Sequence, residues 1–470
     1  MHGALETALR GPHADAGRLA ALWSWLASWI TPDGGVNGPV VHRGDLKRML
    51  AIHDTPWTQE AVIGGLLELY RRSGHEGWLA RALRLGDAQC ARQRADGAFR
   101  WAGHEDDRFS ALVHNALADC ALLDLADALR DRDDAVRRER YVAVAERNLE
   151  EYVIGVLFRP DLQGFAMNPI DYYAGRDRFV VNMNAVAVEA LIKLDRQRGR
   201  DGHARLVRAV GERIRSLQSR EGPAAGGLPY SDLEPDTHVP LYTAVALRGV
   251  VALAAATGEP AWAELTRAAV ASLGRLEDPE TGLWWHKLDA RRVHRFPLFV
   301  AGAGLIGNGL LDAAALTGTS FDGPALAGRL LRFQYRHGAI RNFIGYDHPD
   351  NGRPRGHGTD CWEDVYPTPS WNAQAFRFLC RVLPAPPAAA PHSARPEGRW
   401  SPRYVYVDTR RLSLVAGPWP LRSAMLAVFL KRRRHGLVVP GPHMIVRALV
   451  SLVARAGWGR AALRRLRDRP

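Results

Sequence analysis

Two kinds of apolar segment alternate along the chain. In 59–73 (QEAVIGGLLELYRRS), 110–129, 183–194, 241–257 and 299–317, hydrophobic residues cover nearly the whole helical circumference. In 77–93, 137–155, 203–219, 261–276 and 324–336 they form one stripe, and charged residues occupy the opposite face. A helix that is apolar all round is buried on every side, whereas an amphipathic one faces solvent. The alternation therefore predicts five hairpins, each with an inner and an outer helix. Helix-like stretches at 18–30 and 370–382 remain at the two ends, and they have the right character to complete a sixth hairpin with each other. The expected fold is all-α, an (α/α)6 toroid over residues 15–385. An open superhelix is the rival arrangement.

The joints between hairpins carry turn signals. Gly35, Gly97, Gly164, Gly227, Gly282 and Gly338 recur at intervals of 62, 67, 63, 55 and 56 residues, a repeat signature. The copy at 93–110 (QRADGAFRWAGHEDDRFS) is the fullest: an Asp96-Gly97 turn, an alternating Phe99/Trp101 strand and a polar cluster leading into a helix. Connections within hairpins are short. Those between hairpins (31–58, 94–109, 156–182, 220–240, 277–298 and 337–369) are long and must all emerge on the face where the inner helices begin. Loops of this length in compact domains usually carry function, and these are expected to hold short β-hairpins.

Charge separates the chain into two parts. The net charge is +13, but residues 392–470 hold 17 Arg and Lys against Glu397, Asp408 and Asp468, a net of +14, which leaves −1 for the rest. A near-neutral body argues against nucleic-acid binding, and the basic tail points to a separate anionic partner. Residues 386–402 read as a Pro/Ala-rich linker, and 403–470 as a basic extension with a strand pair at 403–416 and amphipathic helices beyond. The stretch 421–470, with Arg447, Ser451, Arg455 and Trp458, suits an anionic membrane surface. With no secretory signal in the first residues, no run of 18 apolar residues, and Cys90, Cys120, Cys361 and Cys380 unpaired in spacing, a cytoplasmic setting is expected, with membrane association through the tail.

Candidate chemistry gathers in the long connections. Trp57, Trp101, Trp284, Trp285, Trp362 and Trp371 are expected on the face from which these connections emerge, and aromatic faces suit sugar rings or isoprenoid chains. His104, Asn168, Arg176, Arg295 and Tyr346 join them as substrate-binding candidates. Asp107, Asp171, Tyr172, Tyr230, Asp236, His238, His286 and Asp364 are the catalytic candidates. Two carboxyls across a cleft can serve as general acid and base, and a Tyr or His beside an Arg can abstract a proton next to a carboxylate. The string Asp131-Arg132-Asp133-Asp134 lies in a short link within a hairpin and reads as a solvated turn. No metal-ligand spacing, phosphate loop or nucleophile elbow is present, so no metal and no cofactor are expected.

The alternating helices, and the phrase WTQEAVIGGLLELYRRSGHEGWLARALRLGDAQCARQRADGAF, resemble the six-hairpin toroid superfamily of glycosidases, unsaturated uronyl hydrolases, polysaccharide lyases and sugar epimerases. Gln93-x3-Gly97-x-Phe99 is also similar to the Q-x3-G-x-W motif of prenyltransferase and squalene-cyclase repeats, with one clear copy. Neither resemblance assigns a catalytic residue. The first expectation is a carbohydrate-active enzyme of hydrolase, lyase or epimerase type. Its substrate would be a glycan or lipid-linked saccharide, uronate-containing, in surface-polysaccharide metabolism. The alternatives are an isoprenoid-handling enzyme and a non-catalytic glycan-binding toroid.

Overall fold

A computed structural model describes residues 12–30, 34–38, 53–54, 56–99, 110–169, 177–336, 338–345, 367–386, 406–408 and 413–415. The inner helices are α2 (Pro56–Ser73), α4 (Leu112–Ala128), α6 (Val181–Arg198), α8 (Pro240–Thr257), α10 (Ala303–Thr317) and α12 (Pro369–Val382). The outer ones are α1 (Pro12–Ala27), α3 (Glu76–Cys90), α5 (Ala135–Arg147), α7 (Ala204–Ser216), α9 (Pro260–Arg275) and α11 (Gly323–Leu331). A π-helical stretch, Asn148–Leu157, continues α5 without a break.

Each inner helix packs against the next, and α12 packs against α2, so the ring closes. The helix at the start and the one after the last turn do form the sixth hairpin: α1 lies on α12, with Trp23 stacked on Phe376 at 5.4 Å and 28°. The helix α8 is long and apolar enough to cross a membrane by composition, yet it stands in the inner ring, mostly buried. Cys120 and Cys380 are buried free thiols inside inner helices, and Cys90 is partly buried at the end of α3.

Two amide devices fix the repeat. The first sits on the fourth residue of an inner helix. Asn115 accepts from the Phe99 N–H (2.9 Å) and donates to Ser110 Oγ and Ala111 O. Asn184 accepts from the Phe165 N–H (2.8 Å) and donates to Phe165 O and Val180 O. Asn372 accepts from the Ile340 N–H (2.6 Å) and donates to Ile340 O and Thr368 O. In α8 the same position is Thr243, whose hydroxyl donates to Leu228 O. Each clamp satisfies buried backbone groups of the preceding turn that the helix ladder cannot reach.

The second device is a glutamine just past an outer helix. Gln93 Nε2 donates to Gly97 O and, across the hairpin boundary, to Val144 O of α5. Gln218 does the same to Gly226 O and Leu265 O of α9. Gln334 donates to Gly338 O and to Arg18 O of α1, 316 residues away. Gln334-x3-Gly338-x-Ile340 is thus a second working copy of the unit at Gln93, and it is the one that closes the ring. In the fifth connection an ion pair stands in: Arg329 of α11 holds both Glu277 and Gly282 O.

The six turns form where the glycine spacing places them, with small shifts. The left-handed residue is Gly34 rather than Gly35, Gly226 rather than Gly227, and the non-glycine Gln163 ahead of Gly164. Short antiparallel pairs dress the same face: β1 (Asn37–Gly38) with β2 (His53–Asp54), β3 (Phe158–Arg159) with β4 (Gly164–Phe165), β5 (Lys287–Leu288) with β6 (Val293–His294), and β7 (Leu298–Phe299) with β8 (Phe343–Ile344). In the extension, β9 (Tyr406–Asp408) pairs with β10 (Ser413–Val415), as its alternation predicts.

Ring closure is testable at one residue. Gly338 has φ +99° and an added Cβ would stand 2.1 Å from Ala21 O of α1, whereas Gly318, at φ +71°, faces open space. Both Ala substitutions carry the left-handed backbone penalty of about 1–2 kcal/mol. Gly338→Ala also forces α1 away from the turn. Urea denaturation should show Gly338→Ala losing clearly more stability than Gly318→Ala; equal losses would mean that the contact with α1 is not what shuts the ring.

Candidate active site

Two inner helices begin with proline followed closely by tryptophan: Pro56-Trp57 and Pro369-Ser370-Trp371. Proline is at home in the first helical turn, where its missing N–H costs nothing. Since α2 and α12 are neighbours across the closure, the two indoles meet edge to face, with centroids 5.3 Å apart at 87°. The β7–β8 pair brings Phe299 against Phe343 at 4.9 Å. Trp371 packs on both, at 5.5 and 6.0 Å, and His286 stacks on Phe299 at 5.4 Å and 21°. Phe299 and Phe343 are buried; Trp57, Trp371 and His286 are partly open. The phenylalanines are therefore the support, and the other three rings are the surface.

The neighbouring loops are laced to this rim by backbone bonds. His238 and Leu288 exchange both N–H···O bonds at 2.8 Å, which ties the fourth connection to the fifth. The Tyr230 N–H donates to Thr237 O, and Val180 pairs with Ser231, tying the third to the fourth. Tyr230 lies 5.3 Å from Tyr242, with the Arg178 guanidinium 5.9 Å above its ring and paired to Glu234 at 2.9 Å.

The sequence-derived candidates separate on this frame. Trp57, His286 and Trp371 come together in one cluster. Tyr230 belongs to a second cluster in the fourth connection. Trp285 is partly open, donates to Asp278, and carries the exposed Arg295 guanidinium 5.2 Å over its ring. Trp284 is not a surface residue: it is buried, and its indole N–H donates to Leu273 O, so it caps the core between α9 and the loop. His238 is buried with Nε2 against Ser219 Oγ at 3.2 Å, and burial pushes its imidazole below the ordinary value. Asp236 is exposed, and Asn168 is buried. Trp101, His104, Asp107, Asp171, Tyr172, Arg176, Tyr346, Trp362 and Asp364 lie outside the described residues. Asp134 caps α5 from the link between α4 and α5, in keeping with a solvated turn. Among the described residues, no group of three His, Cys, Asp or Glu side chains is placed to hold a metal.

Below the rim the inner helices, apolar nearly all round as their pattern predicts, carry a few buried charges. Glu60 Oε1 accepts from Arg248 (2.9 Å) and from Arg377. Arg248 also holds Glu189 through Nε (2.9 Å) and Nη2 (3.0 Å). Lys193 joins Glu189 to Asp124, both at 2.8 Å. Three acids and three bases from five inner helices form one neutral network. Arg248, Glu189 and Arg377 are each the ninth residue of their helix, five beyond the clamp residue. Five residues is about one and a half turns, so a clamp facing the turns places its partner toward the opposite side, the axis. Burial alone would raise the Glu189 carboxyl, but Arg248 and Lys193 outweigh it and hold the group well below the usual range. Asp119 has no such partner among the described residues, and burial pushes its carboxyl well above the usual range.

No protein-family model and no curated protein matches this chain. Solved structures do. An unsaturated glucuronyl hydrolase specific for heparin is 14% identical with a TM-score of 0.54, over 79% of this chain and 96% of its own. A sugar epimerase from a ruminal bacterium is 14% identical at 0.55, over 78% and 99%. An inactive variant of a Salegentibacter α-1,6-mannanase, in complex with α-1,6-mannotriose, is 13% identical at 0.52, over 79% and 98%. At these identities the likeness shows the fold, an (α/α)6 toroid of six helical hairpins.

Removing the hub of the network should be costly. Arg248→Met leaves Glu60 and Glu189 with fewer partners in a buried setting, a loss of about 3–5 kcal/mol. The pH sign follows from Glu189. Its lowered folded pKa contributes stability above the ordinary carboxylate range, which is lost as pH falls through and below that range. Urea melts from neutral to acid pH should show a steep acid-side loss in the native protein and a shallower one in Arg248→Met. Parallel curves would remove Arg248 as the group holding Glu189.

Proposed function

We propose that this chain is a carbohydrate-active enzyme that binds a glycan at the loop face of the toroid and acts on it by hydrolase, lyase or epimerase chemistry. The observation that carries the reading is the rim: Trp57, Trp371 and His286, partly open, backed by buried Phe299 and Phe343, around the mouth of a ring. Flat aromatic faces present π-clouds to the C–H faces of sugar rings, while a polar wall meets hydroxyls. Arg178, Arg295, Glu234 and Tyr230 supply that polarity nearby. Uronate units in the glycan fit the exposed arginine on Trp285. An isoprenoid substrate would call for a dry axis with few charges, and the six-charge network weighs against it.

Turnover of oligosaccharides, including unsaturated uronyl oligosaccharides and polyuronates, is the direct test. Trp371→Ala should lower kcat/KM on any active substrate about tenfold or more, the equivalent of about 1.4 kcal/mol of lost contact. Absence of both turnover and binding across the panel would sink the reading.

We also propose that 421–470, which lies outside the described residues, contacts anionic lipid and places the toroid near a membrane carrying lipid-linked saccharide. Liposome flotation of the full chain should exceed that of a 1–390 truncation on anionic vesicles and fall with salt. Equal flotation rejects it.

A further inference from the structure

Three buried polar atoms along the axial faces of the inner helices receive no hydrogen bond from any described residue: Glu60 Oε2, Gln374 Oε1 and Asn182 Oδ1. Their residues are 2%, 1% and 5% exposed. Arg248 and Arg377 both donate to the other oxygen of Glu60 and fix the orientation of its carboxyl group. Helical phase places the other two. Gln374 lies three residues before Arg377, and Asn182 seven before Glu189, spacings that share a helix face. Both therefore look toward the same axis as the network, one and two turns nearer the loop face. Trp57 stands three residues before Glu60, one turn above it on α2. Ser370, partly open, holds the place on α12, two residues before the clamp Asn372, that Asn182 holds on α6 before the clamp Asn184. By helical phase these residues lie on the axial sides of their helices, below the aromatic rim, and together make up a polar floor.

The chemistry of the floor is selective. A buried acceptor left unpaired costs about 1–3 kcal/mol, so such a set calls for donors from outside the protein. The two amides can turn to offer N–H or oxygen, but Glu60 can only accept while ionised. A sugar hydroxyl both donates and accepts, and meets all three. A sugar carboxylate or sulfate brings only acceptors, and Glu60 has no donor to offer it while ionised. We infer that the floor is a subsite for an uncharged, hydroxyl-rich sugar unit, held through hydroxyl donation to Glu60 and through Gln374 and Asn182. Acidic units of the same glycan remain at the rim beside Arg295. This rests on the carbohydrate reading and sharpens it, since it separates the seated unit from the charged ones.

Calorimetric titration of the full chain with glucose, mannose, cellobiose and glucuronate tests it. The neutral sugars should bind at least about tenfold more tightly than glucuronate. The Asn182→Leu/Gln374→Leu double variant leaves the Glu60–Arg248–Arg377 contacts in place, and a native-like unfolding transition confirms its fold. It should bind neutral sugars about tenfold or more weakly. Glu60→Gln should narrow the preference over glucuronate. If the double variant binds neutral sugars like the native protein while Trp371→Ala loses them, the floor is a water site only and the glycan reading survives without it. Glucuronate binding as tightly as glucose also overturns the subsite. No sugar binding to the native chain removes both.

Discussion

Four of the six inner helices begin by fixing the turn before them, and the rest of the ring depends on that contact. At Asn115, Asn184 and Asn372 one amide replaces the strand partner that the turn lacks. Its donors return to the same turn and to the helix's own first residues. Each bond is worth only about 0.5–1.5 kcal/mol net, but leaving these buried backbone groups unpaired would cost more. The glutamines then carry the turn to the next outer helix. Three copies of this bond, at Gln93, Gln218 and Gln334, convert a row of hairpins into a ring.

The clamp also sets helix rotation. With the fourth residue held against the turn, the ninth is directed to the axis, and there it is Glu189, Arg248, Arg377 or Cys120. Six inner helices around a closed ring leave a centre that side chains must fill. Here it is filled by paired charges, whose attraction offsets their desolvation because Glu60, Glu189, Arg248 and Lys193 are each held by two partners. Such a wall is rigid and polar under a rim that is aromatic. The proposed glycan site rests on that contrast between floor and mouth.

The fold was legible in the chain, and the site only partly so. Helix type and turn position depend on local periodicity, and both lie close to where the pattern puts them. The individual tryptophans were harder. Trp284 and Trp285 are adjacent and look equivalent, yet one caps the core and the other carries Arg295. Their opposite fates follow from alternation along an extended strand, which needs a known register to be read. Glu60, Gln374 and Asn182 were overlooked because single polar residues in apolar helices look like noise. For Glu189, Arg248 and Arg377, the charged neighbours of that group, a signal was present in the constant distance of five residues from a clamp Asn or Thr, but it becomes readable only when the clamps are recognised.

By itself, the sequence determined six turns, twelve helices and which of them lie inside, because those properties are set by neighbours a few residues away. The meeting of Trp57 with Trp371, and of Glu60 with Arg248 and Arg377, 188 and 317 residues along the chain, was decided only by the tertiary structure. Those contacts exist because the ring closes and because the clamps fix how far each helix is turned, and neither quantity is written in any local stretch.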